Sequence, residues 1–164
     1  MAVRPTEAVI DLAAVAHHYR AAVEVGGRPG IGAVKADPAK GQTKWNAATT
    51  WKGGFNCESR IRGHTVRMDE PAALGGTDTG PNMVETVLAA YGSCLVVGYT
   101  LNAARRGIRI KDLRIELEGD LDLAGFFDLS DNVPPGFSGI RTIVHLDADA
   151  SPADRRSALK FSAT

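Results

Sequence analysis

Residues 75–106 read GGTDTGPNMVETVLAAYGSCLVVGYTLNAARR, and this stretch decides the fold. It opens with a glycine-rich loop, reaches Asn82, a residue type favoured at helix N-caps, and continues as the most apolar segment of the chain. Residues 105–107, Arg-Arg-Gly, are typical of a helix C-terminus. Because residues 87–101 are apolar nearly all round, we predict a long helix over 83–106 that is enclosed on most sides.

Short segments with alternating apolar and polar residues lie on both sides of this helix. Three precede the glycine-rich loop and two follow the helix, at residues 43–51, 55–62, 64–68, 113–117 and 140–146. Glycine turns separate the first three, as expected for a meander of antiparallel strands. Runs of strands separated by a single helix predict an α+β fold with a largely antiparallel sheet.

The ends of the chain have a different pattern. Apolar residues recur at helical spacing over residues 6–25, and the Gly- and Pro-rich stretch 26–41 is predicted to be a linker. We therefore divide the chain into an N-terminal helix and linker, residues 1–41, and a domain over residues 42–164. Residues 151–152, Ser-Pro, are expected to start a last helix.

Composition limits the classes of partner. The 164 residues include 19 basic and 19 acidic side chains, so no net charge attracts nucleic acid or an anionic membrane. No unbroken apolar run of the length that spans a bilayer is found, nor an N-terminal signal peptide, and we expect a cytoplasmic protein. Two cysteines do not make a secreted disulfide framework, so each is either a packed residue or a working thiol.

Several motifs then point to a family. The string GGTDTGPN at 75–82 is followed by Val84-Glu85, by Leu-Ala-Ala at 88–90 and by Gly-Ser-Cys at 92–94. With Asp-Glu-Pro at 69–71 and Leu-Glu-Gly-Asp at 117–120, this pattern resembles the superfamily of osmotically induced (OsmC) and organic hydroperoxide resistance (Ohr) proteins. The resemblance extends over residues 43–146.

The resemblance implies an OsmC-like fold and an intertwined homodimer with a reactive thiol at the subunit interface. The thiol would be Cys94, and it would reduce organic hydroperoxides. In peroxidase members of the superfamily a glutamate and an arginine assist the thiol, and here the candidates are Glu85 and Arg60. A second cysteine near the C-terminus resolves the sulfenic acid in those members.

The sequence departs from the family pattern at several points. Met83 replaces the usual proline, Phe55 follows Gly53-Gly54 where an arginine is usual, and Glu85 lies nine residues before Cys94 instead of ten. No C-terminal resolving cysteine is present, and residues 155–161 do not resemble the family, so we expect a truncated or altered C-terminus. Turnover would then be weak and would depend on an external thiol reductant.

Each candidate residue also has a structural interpretation. Cys94 can be a small packed residue of a buried helix, and Arg60 a solvated surface cation. Asn82 and Glu85 have the spacing of a capping box, which we favour for Glu85. Cys57 is predicted to pack on the apolar face of its strand, the alternative being that it approaches Cys94 and resolves it.

No cofactor or metal is expected. The four histidines are scattered without ligand spacing, and the glycine-rich loop lacks the lysine of a phosphate-binding loop. Three functions remain open: a thiol-dependent hydroperoxide reductase, a non-catalytic protein that binds a small apolar ligand at the dimer interface, and a redox-sensing thiol protein.

Overall fold

A computed structural model describes residues 28–151 of the chain, which divides into two compact units, Met1–Lys44 and Trp45–Thr164. The helices predicted over residues 6–25 and after Ser151 lie outside the described residues.

In the first unit, helix α1 spans Arg28–Ala36 and a 3-10 turn follows at Pro38–Gly41. The prediction of a linker over residues 26–41 is therefore wrong for this part. Its proline falls in the first turn of α1, where a missing backbone N–H and a fixed φ do no harm. The following turn is closed by Asp37, whose Oδ1 accepts a hydrogen bond from the backbone N–H of Ala39 at 3.2 Å.

Over its described residues, 45–151, the second unit contains five strands, one long and one short α-helix, and a 3-10 turn at Ala72–Leu74. In chain order the strands and α-helices are β1 Ala48–Gly53, β2 Asn56–Ile61, β3 His64–Met68, α2 Met83–Arg105, β4 Ile110–Leu121, α3 Leu123–Phe126 and β5 Phe137–Ala148. The prediction of an α+β fold with antiparallel strands and a long central helix is confirmed.

The strands form two antiparallel sheets, one of β1, β2 and β3 in that order and one of β4 and β5. Strands β4 and β5 each have 12 residues and are longer than predicted. Their ends contain glycine and charged residues that interrupt the apolar alternation, and they are held by pairing with the opposite strand. The sequence analysis also missed α3, a single turn between these strands that Asp122 caps at the N–H of Ala124.

The sheet of β4 and β5 has an apolar face and a charged face. Leu113 pairs with Leu146 and Ile115 with Val144 on the first face. The second face carries ion pairs, which join Arg114 to Glu116, and Arg141 to Glu118 and Asp120. His145 Nε2 is also within hydrogen-bond distance of Glu116 Oε2, at 2.8 Å. The apolar face packs along α2, and a small buried cluster of Ala103, Ile108 and Ala148 closes the end where α2 turns into β4.

The described part of the chain covers only one side of α2. The buried residues of this helix are Gly92, Leu95, Gly98, Tyr99 and Ala103. Its exposed large apolar residues include Val87, Tyr91, Val97 and Leu101. The prediction of a helix enclosed on most sides is therefore wrong for the single chain, because β4 packs against one face and leaves the other to solvent.

By length and composition alone, α2 is also apolar enough to cross a membrane. Core helices of soluble proteins meet the same criterion. The contacts of its buried face with β4 are those of a core helix.

Candidate functional site

The loop before α2 is organised by one carboxylate. Asp69 has no exposed surface, and its Oδ2 accepts hydrogen bonds from the hydroxyl of Thr77 at 2.5 Å and from its backbone N–H at 2.9 Å. The hydroxyl and backbone N–H of Thr79 reach the same oxygen at 3.1 and 3.3 Å. These bonds, that of the Thr77 hydroxyl first, lower the pKa of Asp69 to about 2. The carboxylate is therefore ionised and holds the loop in one conformation.

Gly76 shows why this loop needs a glycine. A Cβ atom at residue 76 would lie 1.8 Å from the carbonyl oxygen of Glu70, which also accepts a hydrogen bond from the backbone N–H of Asp78 at 3.1 Å. The N–H of Asp69 donates to the carbonyl of Pro81 at 3.2 Å. The loop thus folds tightly onto the end of β3 and delivers the chain to the start of α2.

Asn82 and Glu85 form the predicted capping box. Asn82 Oδ1 accepts from the N–H of Glu85 at 2.8 Å, and Glu85 Oε2 accepts from the N–H of Asn82 at 2.9 Å. Nine residues of straight helix place Glu85 about 13 Å along the axis from Cys94 and on the opposite face. The structure therefore engages Glu85 at the helix start and does not bring it to the thiol of its own chain.

Cys94 is a free thiol, and it is exposed at the middle of α2. Tyr91 and Val97 lie three residues from it, and Val87 and Leu101 seven residues, so all five share one helix face. We call these five residues the outer stripe. A thiol in this position is accessible and has apolar neighbours, but the middle of a helix supplies no dipole that would favour the thiolate.

Arg60 lies on β2, with its side chain 75% exposed and its Nε 3.7 Å from Glu58 Oε1. Its ion pair within the described chain is thus with Glu58. Cys57, on the same strand, is a half-exposed free thiol that pairs in register with Trp51 and Met68. The structure places the two cysteines on different elements, one on a strand of the first sheet and one on α2.

A groove that the sequence analysis missed lies between α2 and β4. It has a volume of about 370 Å³ and is lined by Leu88, Ala89, Gly92, Ser93, Val96, Ile115 and Leu117. Gly92 is two residues from Cys94, a rotation of about 200°, so the groove opens on the side of α2 away from the thiol. Small residues at 89, 92 and 93, close together on one turn, were the available signal.

Among residues 28–151, no three His, Cys, Asp or Glu side chains are grouped so that they could hold a metal ion.

The model of the OsmC-like protein family matches residues 76–164, more than half of the chain, which therefore belongs to this family. No curated protein sequence matches the chain.

Solved structures with the same fold include an OsmC-like protein from Mycoplasma pneumoniae, which is 14% identical with a TM-score of 0.60 over 73% of this chain and 80% of that one. An OsmC-like protein of unknown function from Vibrio cholerae is 14% identical, with a TM-score of 0.52 over 73% and 90% of the two chains. An organic hydroperoxide resistance protein from Elizabethkingia anophelis is 16% identical, with a TM-score of 0.50 over 73% and 81%.

Proposed function

We propose that the protein is a thiol-dependent reductase of organic hydroperoxides, that Cys94 is its reactive residue, and that it serves in the response to oxidative stress. The observation that carries the proposal is an exposed thiol in the middle of an apolar helix face. The family supports it, as does the shared fold with a protein named for organic hydroperoxide resistance. An apolar surface around the thiol suits the organic part of such a substrate.

The reaction needs no metal or cofactor. The Cys94 thiolate attacks the terminal oxygen of the hydroperoxide, so that an S–O bond forms as the O–O bond breaks. The alkoxide takes up the proton that the thiol released on ionising, and leaves as the alcohol. The resulting sulfenic acid condenses with an external thiol, which releases water and leaves a mixed disulfide. A second external thiol then frees Cys94 and departs as the oxidised disulfide.

A homodimer is part of the proposal. The outer stripe exposes more apolar surface than a soluble helix normally leaves to water, and a second copy packed beside Cys94 would cover its apolar residues and leave the thiol within reach of substrate. The sheet of β4 and β5 has two strands within the described residues, and a sheet of this size is marginal by itself, so we propose that a partner subunit supports it.

The dimer would also complete the chemistry. Cys94 requires a nearby cation, because its helix position does not stabilise the thiolate. In one chain Arg60 is paired with Glu58 and Glu85 is held in the capping box. We propose that Arg60 activates the thiol, and Glu85 assists it, from the second copy.

Resolution would be slow. The chain has two cysteines, so the sulfenic acid of Cys94 is resolved either by Cys57 or by an external thiol. Cys57 lies within a paired strand, where movement towards another element is costly. We therefore propose an external thiol as the reductant, in keeping with a soluble, cytoplasmic protein.

The decisive experiment measures consumption of cumene hydroperoxide and traps the sulfenic acid with dimedone. Cys94→Ser should abolish both the first oxidation and the adduct, whereas the matched variant Cys57→Ser should leave both intact. We expect a stoichiometric burst followed by slow turnover in excess dithiol. Equal and slow oxidation of both cysteines would contradict a reactive Cys94, and rapid formation of a Cys57–Cys94 disulfide would make Cys57 the resolving residue.

A second candidate is a non-catalytic protein that binds a small apolar ligand. The groove between α2 and β4 favours it, since about 370 Å³ is enough for a short aliphatic chain. Binding of a fluorescent fatty acid that survives Cys94→Ser, with no peroxide consumption by the unmodified protein, would select this function.

A further inference from the structure

A second cavity lies on the charged face of the three-stranded sheet. It has a volume of about 410 Å³ and is lined by Lys52, Asn56, Cys57, Glu58, Arg67 and Thr79. Glu58 and Arg67 are paired in register, so their side chains lie on one face of the sheet, and Cys57 belongs to the other face by strand alternation. The cavity is thus defined chiefly by charged and polar side chains. Of its lining residues, Thr79 belongs to a motif that carries the family resemblance, and the proposed chemistry of Cys94 uses none of them.

The charges in this region do not balance. Glu58 is the shared partner of three cations, with Arg67 at 3.5 Å, Arg60 at 3.7 Å and Lys52 at 3.8 Å. Glu58 neutralises one of these charges, and the ionised Asp69 behind Thr79 offsets a second, so one positive charge remains in excess. The side chain of Glu58 is 15% exposed, whereas those of Lys52 and Arg67 are 49% and 79% exposed. The positive charge is therefore on the accessible side of the cluster.

The opposite wall of the cavity is preorganised. The hydroxyl of Thr79 lies 3.0 Å from Asn56 Oδ1 and 3.1 Å from Asp69 Oδ2, and the buried Asp69 fixes the loop that carries it. Asn56 also donates from Nδ2 to the hydroxyl of Thr77 at 3.5 Å. A ligand would meet a polar wall that is already in place and would need to order only the two long cationic side chains.

We infer that this cavity binds a small organic anion whose carboxylate or phosphate group contacts Lys52 and Arg67 together. Both cations are within 4 Å of the Glu58 carboxylate, so they are close enough for one anionic group to contact both. A guanidinium and an ammonium are the side chains that bind such groups most strongly, and a concave site focuses their potential. Glu58 holds the two cations in place when the site is empty.

Calorimetric titration of the full chain tests the inference, with succinate and inorganic phosphate as two separate probes. Lys52→Gln and Arg67→Gln should each weaken binding by roughly tenfold, since each removes one charge-assisted contact. Glu58→Gln should tighten it, because the competing carboxylate is gone. The matched control is Arg62→Gln, which makes the same change in net charge in the turn between β2 and β3, outside the cavity lining, and it should leave binding unchanged.

Saturable binding of succinate alone or of phosphate alone would support the site and identify the group that it prefers. Three results would overturn it: no saturable binding of either anion, equal affinity in the Arg67→Gln, Arg62→Gln and unmodified proteins, or equally tight binding of the neutral analogue succinamide. A purely structural ion cluster predicts that Glu58→Gln lowers stability without any gain in affinity. The inference is independent of the peroxidase proposal, since Cys94→Ser should not alter anion binding.

Discussion

The two faces of α2 are both apolar and have opposite surroundings. The inner face, which includes Leu95 and Tyr99, is buried, with β4 packed along this side of the helix. The outer stripe of Val87, Tyr91, Cys94, Val97 and Leu101 is exposed in the single chain. Side-chain hydrophobicity therefore does not distinguish the two faces. They differ in whether another element of the chain packs against them. The inner face belongs to the fold of one chain, and we assign the outer one to association and chemistry.

The largest expected effect comes from a charge on the outer stripe. We expect the unmodified protein to be a dimer of about twice 17.3 kDa, and Val97→Asp to dissociate it. Val97 is 58% exposed in the single chain, so the aspartate is tolerated there, but burial at an interface would leave it unpaired. That cost is roughly 3 kcal/mol, or on the order of a 100-fold rise in the dissociation constant. Light scattering across a range of concentrations measures it.

The control for Val97→Asp is Leu129→Asp, an equally drastic change at an apolar residue that is 75% exposed and lies outside α2. It should leave the dimer intact. If both variants dissociate equally, or if the unmodified protein is monomeric at every concentration, the outer stripe is not the dimer interface. The assignment of the outer face of α2 to association is then wrong.

A substitution that creates a cavity on the inner face of α2 should lower the stability of the protein without affecting its dimerisation. Leu95→Ala removes a buried side chain next to β4 and should reduce the free energy of unfolding by about 2–5 kcal/mol. Urea unfolding at two protein concentrations distinguishes the two faces. The loss of unfolding free energy in Leu95→Ala should be the same at both concentrations. Any loss in Val97→Ala should depend on protein concentration, because it acts through the dimer. A concentration-dependent loss in Leu95→Ala would place its face at the interface instead.

A smaller effect is expected at the loop that sets the start of α2. Asp69→Asn should lower the urea midpoint at about pH 7, because the ionised carboxylate accepts hydrogen bonds from Thr77 and Thr79. Folding lowers the pKa of Asp69 from 3.8 to about 2, so its contribution is complete above the unfolded value and disappears as the pH falls through about 2. The difference between the two proteins should therefore shrink between about pH 4 and about pH 2.

Asp78→Asn is the matched control for this loop, since Asp78 is exposed and takes part through its backbone N–H. It should leave both the midpoint and its pH dependence unchanged. A difference between Asp69→Asn and the unmodified protein that persists undiminished at low pH would show that the carboxylate charge is not what holds the loop.

Local signals predicted most of the elements correctly. The helix over 83–106 is found at Met83–Arg105, and the strand over 64–68 at His64–Met68, because capping residues, periodicity and glycine turns act over a few residues. The capping box of Asn82 and Glu85 follows from the same local rules. The sequence analysis was wrong at α1, where a proline is tolerated because it lies in the first turn of the helix. It was also wrong at the ends of β4 and β5, where glycine and charged residues are held by strand pairing.

What the sequence alone determined is the order of the five strands and α2, the start of α2, the candidate thiol and the family, since each depends on short motifs whose physical causes are local. Only the tertiary structure decided that Cys94 is exposed, that Arg60 is paired with Glu58, and that three cations surround one carboxylate at a cavity. The exposure of Cys94 depends on which face of an apolar helix is covered. The ion pairs of Glu58 depend on residues that lie on different strands. Periodicity shows that both faces of α2 are apolar, but the single pair of strands that packs against it can cover only one.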